Sequence, residues 1–464
     1  MRATRTRMRW NVMFLVFLIV TVSYLDRTNL SVAAPTLKNE LHLSPTQLGL
    51  IFSAFSWSYA LAQIPAGLVA TRLQPRRTYL YGMWIWCGLL VLSTTAGSFG
   101  AWILFRIPFG LAEAITWPAA SILLSRWFPR VEFSQAMALQ NLGLVVGAAV
   151  APPIVAFILG IWGWRTAFVV TGLIAGVLGT VFFFYVRDDP DEDPRVSDAE
   201  RNWIRHDRRE EPAIAPPPGF NAVLLRCPSL WAVGIANFGL DFINFMFLTW
   251  YPTYLTERYH LSLHRLGALA MEPYVLGVVT VLGAGWLVRR LSDGRTGSVR
   301  ARRLVITGGL LLGTLALFSV PYATNLYASI TAMSLGYAFV MSILGPMWST
   351  PAEVAGRHGA GFVSGFVNFV GNVGGILSPI LMGIALQRFA SFTPAIVIAG
   401  AVTLVCGLLF ALMYRPERDR AAVEDLLRTG TPLAVLPEGR TAFVDGVTIA
   451  RPHGRAEPKG EQAW

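Results

Sequence analysis

Apolar blocks of about twenty residues recur twelve times along this chain with short polar gaps between them. No other feature narrows the possible folds as much. A block of that length crosses the hydrocarbon core of a bilayer as an α-helix, because only a helix satisfies every backbone polar group within the segment. Six blocks run roughly over 11–34, 46–71, 78–97, 100–125, 134–160 and 165–187. Six more run roughly over 228–256, 264–289, 302–321, 325–350, 359–387 and 391–414. Most contain Gly or Pro, which membrane helices tolerate better than soluble ones. Charged residues are 14% of the 464 residues and hydrophobic ones 54%, against about 25% and 45–50% in soluble domains. So few charges cannot surface three soluble domains, and so much apolar content is incompatible with disorder over most of the chain. The fold class is therefore an all-α membrane protein with 12 transmembrane helices.

The net charge of +11 comes from 38 Lys and Arg against 27 Asp and Glu. A basic balance can point to nucleic acid, but its distribution here points to topology. With the N-terminus inside, 23 arginines lie on the inner side ahead of the C-terminal tail. Five basic residues lie on the outer side: Lys38, Arg165, Arg258, Arg265 and Arg388. Cytoplasmic loops carry the Lys/Arg excess, so both termini are expected in the cytoplasm, without a nucleic-acid partner. The first block does not read as a cleavable signal. It is too long, Asp26-Arg27 interrupts it, and no small-residue cleavage site follows. Cys87, Cys227 and Cys406 form no CxxC or metal-binding spacing.

The expected organisation is a cytoplasmic N-terminus (1–10), a six-helix bundle (11–187), a cytoplasmic linker (188–227), a second six-helix bundle (228–414) and a cytoplasmic polar tail (415–464). The linker is acidic and Pro-rich, with an amphipathic helix expected around 197–210, and the tail reads as disordered. Two similar halves are one signature of secondary transporters. GLVATRLQPRR (67–77) and GWLVRRLSDGR (285–295) occupy matching places in the two halves.

Ionisable groups inside a bilayer cost about 2.5–3.5 kcal/mol each on insertion scales, so their default reading is functional. Asp26, Arg27, Arg106, Glu113, Asp241 and Glu272 are of this kind. Arg106 and Glu113 lie two helical turns apart on one face, while adjacent Asp26 and Arg27 point about 100° apart. With both spans lining one cavity, these four charges of net zero can meet. A buried carboxylate near an arginine can exchange a proton when a second anion arrives, which is the chemistry of a proton-coupled anion carrier. The alternative for each charge is an ion pair that fixes helix packing. For Arg106 it is also snorkelling to the interface. Tyr24, Tyr59, Gln140, Trp348, Asn368 and Asn372 add hydrogen-bonding groups within spans, where helix-to-helix bonding is the competing role.

Several segments carry a resemblance: YLDRTNLSVAAP (24–35), FRIPFGLAEAITWPA (105–119), RWFPRVEFSQAMALQN (126–141), IWGWRTAF (161–168), FLTWYPTYL (247–255) and NFVGNVGGILSPILMG (368–383). Together they resemble the anion:cation symporter branch of the major facilitator superfamily, and most nearly the bacterial carriers of galactonate, glucarate and hexuronates. The resemblance implies the major facilitator fold, alternating access and a site between the halves near the midplane. It implies proton uptake at Asp26 and Glu113, with Arg27 and Arg106 holding the carboxylate or tuning those acids. It implies substrate contacts from Tyr24, Tyr59 and Gln140 in the first half and from Trp348 and Asn368 in the second.

The sequence departs from that pattern in places. Thr71 stands where the superfamily has Asp, Gln74 replaces a usual Gly, and Arg289 holds the Asp position of the second copy. The charge lock of this loop is therefore expected to be weakened or rebuilt. Asp241 and Glu272 stand where neutral residues are expected. Two acids there would repel a simple dianion, bind an amino group or take a second proton.

A primary pump is excluded, because neither Lys38 nor Lys459 sits in a Gly-Lys-[Ser/Thr] loop. The six histidines lie in loops or the tail without HExxH, so no enzyme is expected and no cofactor or metal is called for. Nothing resembles a channel filter. Span five reads GLVVGAAVAPP (143–153) and lacks the GPxxGG run common among antiporters of the superfamily, which favours symport. The expectation is a monomeric inner-membrane carrier that takes up a small carboxylate with protons. The alternatives are an exchanger or facilitator of organic anions, or a carrier of an aromatic or amino-bearing carboxylate.

Overall fold

A computed structural model of the chain describes residues 6–206, 220–292 and 294–419. Before the connector run α1 (Met8–Glu40), α2 (Pro45–Leu73), α3 (Pro75–Ser93), α4 (Phe99–Glu113), α5 (Thr116–Trp127) and α6 (Arg130–Tyr185). The connector holds α7 (Asp198–His206) and α8 (Phe220–Arg226). After it come α9 (Pro228–Tyr259), α10 (Leu263–Ala270), α11 (Glu272–Leu291), α12 (Gly294–Ser319) and α13 (Leu326–Met341). The order closes with α14 (Leu344–Trp348), α15 (Pro351–Phe389) and α16 (Phe392–Met413).

Twelve spans follow from these sixteen helices once breaks and turns are read physically. Proline lacks the N–H that would bond the carbonyl four residues earlier. Pro118 therefore cannot bond the Ala114 carbonyl four residues earlier, and one span divides into α4 and α5. Pro273 acts likewise between α10 and α11, and Pro346 between α13 and α14. The continuous helix α6 instead covers two spans, turning at Gly163, whose φ of 82° suits glycine. The turn falls in the gap read between 160 and 165. Residues 8 and 413 lie at one end of the bundle, the near end; the opposite end is the far end.

The connector is more structured than its composition suggests. Glu200 of α7 is fully buried. One of its oxygens accepts from the Met8 N–H at 3.2 Å and Thr6 Oγ1 at 2.6 Å, the other from the Arg9 N–H at 3.3 Å and Arg9 Nη1 at 2.6 Å. An anion at a helix N-terminus is favourable, so Glu200 caps α1 and docks α7 on the near end. Burial pushes the nearby Asp193 carboxyl up, but the Arg195 guanidinium on both its oxygens outweighs this and holds it below the usual carboxylate range. α8 was not anticipated from the sequence. The expectation of disorder fails for 415–419, where Asp419 accepts from the Ser229 N–H at 2.9 Å and the Arg415 N–H bonds Ser229 Oγ at 2.8 Å. Residues 207–219 and 420–464 lie outside the described residues.

Gln74 joins α2 to α3 with φ 68°, and its Oε1 accepts from Arg126 Nη1 at 2.6 Å. The loop that departs from the superfamily pattern is thus tied down by an amide–guanidinium bond. Thr71, in the Asp position, bonds only its own helix at the Gly67 carbonyl.

The structure also brings out a second internal repeat. HLSPTQLG (42–49) and HLSLHRLG (260–267) each open on a left-handed histidine, His42 at φ 51° and His260 at φ 52°. Each then starts a helix after a serine N-cap residue, Ser44 or Ser262. Each ends on a glycine pressed against the other set of spans. A Cβ on Gly49 would fall 2.4 Å from the Pro379 carbonyl oxygen, and one on Gly267 would fall 2.9 Å from Pro153 Cα. Both contacts lie toward the far end. There too Lys38 pairs with Glu257 at 2.6 Å, the Thr46 N–H bonds Gln387 Oε1 at 3.3 Å and Ser53 Oγ bonds the Ile376 carbonyl at 2.8 Å. The first six spans and the last six are thus drawn together at the far end.

Gly49→Ala should cost this closed arrangement about 1–3 kcal/mol through overpacking. With Gln387→Cys in a cysteine-free background, labelling by an impermeant thiol reagent from the far side should then rise several-fold. Unchanged labelling would contradict the close contact's role.

Candidate central binding site

The middle of α1 is buried on every side, from Val22 to Ala34, although it carries Ser23, Asp26, Arg27, Thr28, Asn29 and Ser31. Polar atoms so placed need partners. Arg27 Nε donates to Glu113 Oε1 at 2.7 Å, and Ser23 Oγ bonds the same oxygen. The guanidinium also lies over three aromatic rings, Tyr24 at 4.7 Å, Phe55 at 4.8 Å and Tyr59 at 4.7 Å. Stacking of this kind holds a cation firmly where water is scarce. Glu113 is fully buried and closes α4, just ahead of the break that Pro118 imposes.

Asp26 turns the other way, as neighbours about 100° apart on a helix must. It is fully buried, and its Oδ2 accepts from Trp86 Nε1 of α3 at 2.7 Å. Next to it, Asn29 Nδ2 donates to Thr171 Oγ1 of α6 at 3.0 Å. Arg106 is buried with its guanidinium 5.3 Å from the Phe55 and Phe109 rings, so it does not snorkel to the interface. The four charges do not close into one network as expected. Arg27 and Glu113 form an ion pair, while Asp26 and Arg106 stand within Coulombic reach of it without an ion pair among the described residues.

Several buried atoms around this pair have no hydrogen-bond partner among the described residues. They are Arg27 Nη2, Glu113 Oε2, Asp26 Oδ1, Arg106 Nε and both amide atoms of the fully buried Gln140. Each is a strong donor or acceptor free to engage a small polar molecule.

The last six spans face this cluster through α9, most of whose residues are buried. Asn237, Asp241 and Asn244 are spaced by four and three, so they share one face of α9. Asp241 is half-buried and within Coulombic reach of Arg27 and Tyr24. Asn237 Nδ2 bonds the Val367 carbonyl at 3.0 Å, and Asn244 Oδ1 accepts the Tyr337 hydroxyl at 3.2 Å. Glu272 is not part of this group. It opens α11, half-buried, beside Tyr251, which lies ten residues along α9 from Asp241, about 15 Å toward the far end.

The remaining expected contacts are spread out. Asn368 is half-buried on α15, and its carbonyl accepts from Asn372 Nδ2 at 2.8 Å. Trp348 ends α14 and is 38% exposed. Sequence reasoning missed Trp86, Ser23, Asn237, Asn244 and Tyr337. The 237/241/244 spacing was a legible signal; the bonds from Trp86 and Ser23 depend on neighbouring helices and leave no trace in spacing.

A family model described as Major Facilitator Superfamily matches residues 16–379. A probable sulfoacetate transporter of Cupriavidus necator is 31% identical over 415 residues, covering 89% of this chain and 95% of that protein. The hexuronate transporter of Bacillus subtilis is 27% identical, with 87% of this chain and 94% of that protein covered. The D-galactonate transporter of Escherichia coli is 28% identical, with 88% and 96% covered. Among solved structures, a bacterial homolog of the human lysosomal transporter Spinster, inward-facing and unoccupied, has a TM-score of 0.72. It is 17% identical and covers 90% of this chain and 99% of that one.

Trp86→Phe removes the hydrogen bond to Asp26 while keeping the ring. It should lower stability by about 1–3 kcal/mol, the cost of stranding a buried acceptor. Thermal unfolding in detergent measures this, and the loss should be smaller when Trp86→Phe is made on an Asp26→Asn background. Equal losses in both backgrounds would mean the bond carries nothing.

Proposed function

The chain belongs to the Major Facilitator Superfamily, and from that premise we propose that it is a secondary carrier for proton-coupled uptake of a small organic anion by alternating access. The single observation carrying this reading is the buried Arg27–Glu113 pair, in which each partner keeps one polar atom free. A carboxylate or sulfonate entering beside Arg27 competes with Glu113 for the same cation. Two anions cannot share that buried position unless one is neutralised, so Glu113 takes up a proton as the substrate binds. Proton and anion then move together.

Asp26 is the second proton site in this reading. A monoanion carried with one proton moves no net charge. A second proton would couple uptake to the membrane potential, about 2.3 kcal/mol per charge at 100 mV. Arg106 and Gln140 supply further donors to the anion, and Tyr24 and Tyr59 hold the Arg27 guanidinium in place. Asn368 contacts the substrate from the second half. The relatives named for sulfoacetate, hexuronate and galactonate support a sugar acid or another small organic acid as substrate.

The distribution of arginines supports an inner-membrane orientation with both termini in the cytoplasm. The far end is then the outer face, and its closure makes this the inward-facing arrangement. The moving bodies are the bundles 11–187 and 228–414, linked by 188–227, in a monomer.

In proteoliposomes, Glu113→Gln should retain counterflow exchange and lose accumulation driven by a pH gradient. Unchanged accumulation would sink the assignment and favour exchange or facilitation. Arg27→Ala should weaken binding by about 1.5–3 kcal/mol, the worth of a hydrogen bond to a charged group, or roughly 10- to 150-fold. Titration calorimetry of the purified protein checks this, and wild-type affinity would rule Arg27 out as the anion holder.

A further inference from the structure

The ionisable groups of the central site do not balance. Asp26, Arg27, Arg106, Glu113 and Asp241 are linked by Coulombic interactions, three acids against two arginines. Even with Glu113 neutralised by a proton as a carboxylate binds, the group keeps one uncompensated negative charge where screening by water is weak. The surplus traces to Asp241, which comes from the opposite half to the other four.

The surroundings of Asp241 are shaped around its side chain. A Cβ on Gly371 of α15 would fall 2.4 Å from Asp241 Oδ2 and 2.0 Å from Asn237 Nδ2. Only glycine lets both side chains lie against α15. Asn237 commits its amide nitrogen to the Val367 carbonyl, which leaves its oxygen as an acceptor one turn from Asp241. No hydrogen bond or ion pair joins the Asp241 carboxylate to another described side chain. Two acceptors on one helix face, one of them charged and half-buried, make a site for a cationic donor.

We propose that Asp241 receives an ammonium group of the transported molecule, so that the substrate is an organic acid that also carries an amine. The acid end meets Arg27 in the first half and the ammonium end meets Asp241 in the second. One molecule then bridges both bodies. A zwitterion taken up with one proton also carries net positive charge inward, so a single proton already couples transport to the membrane potential. This inference rests on the reading of the central site as the anion site.

The test uses purified full-length protein and two pairs of probes, gluconate with 2-amino-2-deoxygluconate, and ethanesulfonate with taurine. Wild type should bind the amino member of at least one pair about tenfold tighter, equal to about 1.4 kcal/mol. Asp241→Asn should abolish or invert that preference while the amino-free member binds as well as before or better. Asp241→Glu should keep the preference, which guards against a folding defect in the Asn variant. Glu272→Gln, an acid change outside the site, should leave the ratio alone. Wild type preferring the amino-free members, binding neither amino member, or keeping its preference in Asp241→Asn would each overturn the proposal. Arg27→Ala separates the two readings: if both members of a pair still bind it with wild-type affinity, the anion site itself is misplaced.

Discussion

A charge held in the middle of a membrane span organises this molecule. The arginine at position 27 is removed from water and must be compensated by the protein around it. The compensation comes from three different helices: Glu113 of α4, the rings of Phe55 and Tyr59 of α2, and the ring of Tyr24 of α1 itself. The close packing of the first spans follows from this. A Cβ on Gly110 of α4 would fall 2.5 Å from the Phe55 carbonyl oxygen of α2. The two helices that hold the cage and the acid are therefore in backbone contact. The break after Glu113 lets α4 end on the acid without continuing its helix geometry past it.

Features that depend on residue type alone were legible in the sequence. Twelve apolar blocks gave twelve spans, and Asp26, Arg27, Arg106 and Glu113 stood out because charge is expensive in lipid. Features that depend on which helix faces which were not. Adjacent Asp26 and Arg27 looked like one cluster, but the helix sends them to different neighbours, Trp86 and Glu113. Asp241 and Glu272 looked alike as surplus acids, yet Asp241 is within Coulombic reach of Arg27 while Glu272 opens α11 beside Tyr251. The prolines themselves were visible, but their consequence depends on whether the freed carbonyl finds another partner.

The ties at the far end are few and individually weak. Lys38 and Glu257 are both partly exposed, and such a pair contributes about 0–1 kcal/mol. Each neutral hydrogen bond there contributes roughly 0.5–1.5 kcal/mol. The glycine–proline contacts add close packing without a strong directional bond. Two arrangements separated by a few kcal/mol can both be populated, and a ligand that binds one of them better shifts the balance. The repetition of HLSPTQLG as HLSLHRLG gives both halves the same contact. Opening then breaks two similar seams together.

Asp26 clarifies why the central acids have separate environments. Had it shared Arg27 with Glu113, both carboxylates would be neutralised by one cation, and the arrival of an anion would disturb both at once. The Trp86 bond instead gives Asp26 a neutral donor fixed by α3, apart from the Arg27–Glu113 pair. Glu113, by contrast, touches the cation that an anion would claim. In the proposed function the two acids therefore answer to the same ligand with different strength. In the proposed cycle this difference lets the two protons be taken up one after the other, and it arises from the step of about 100° between adjacent residues of α1.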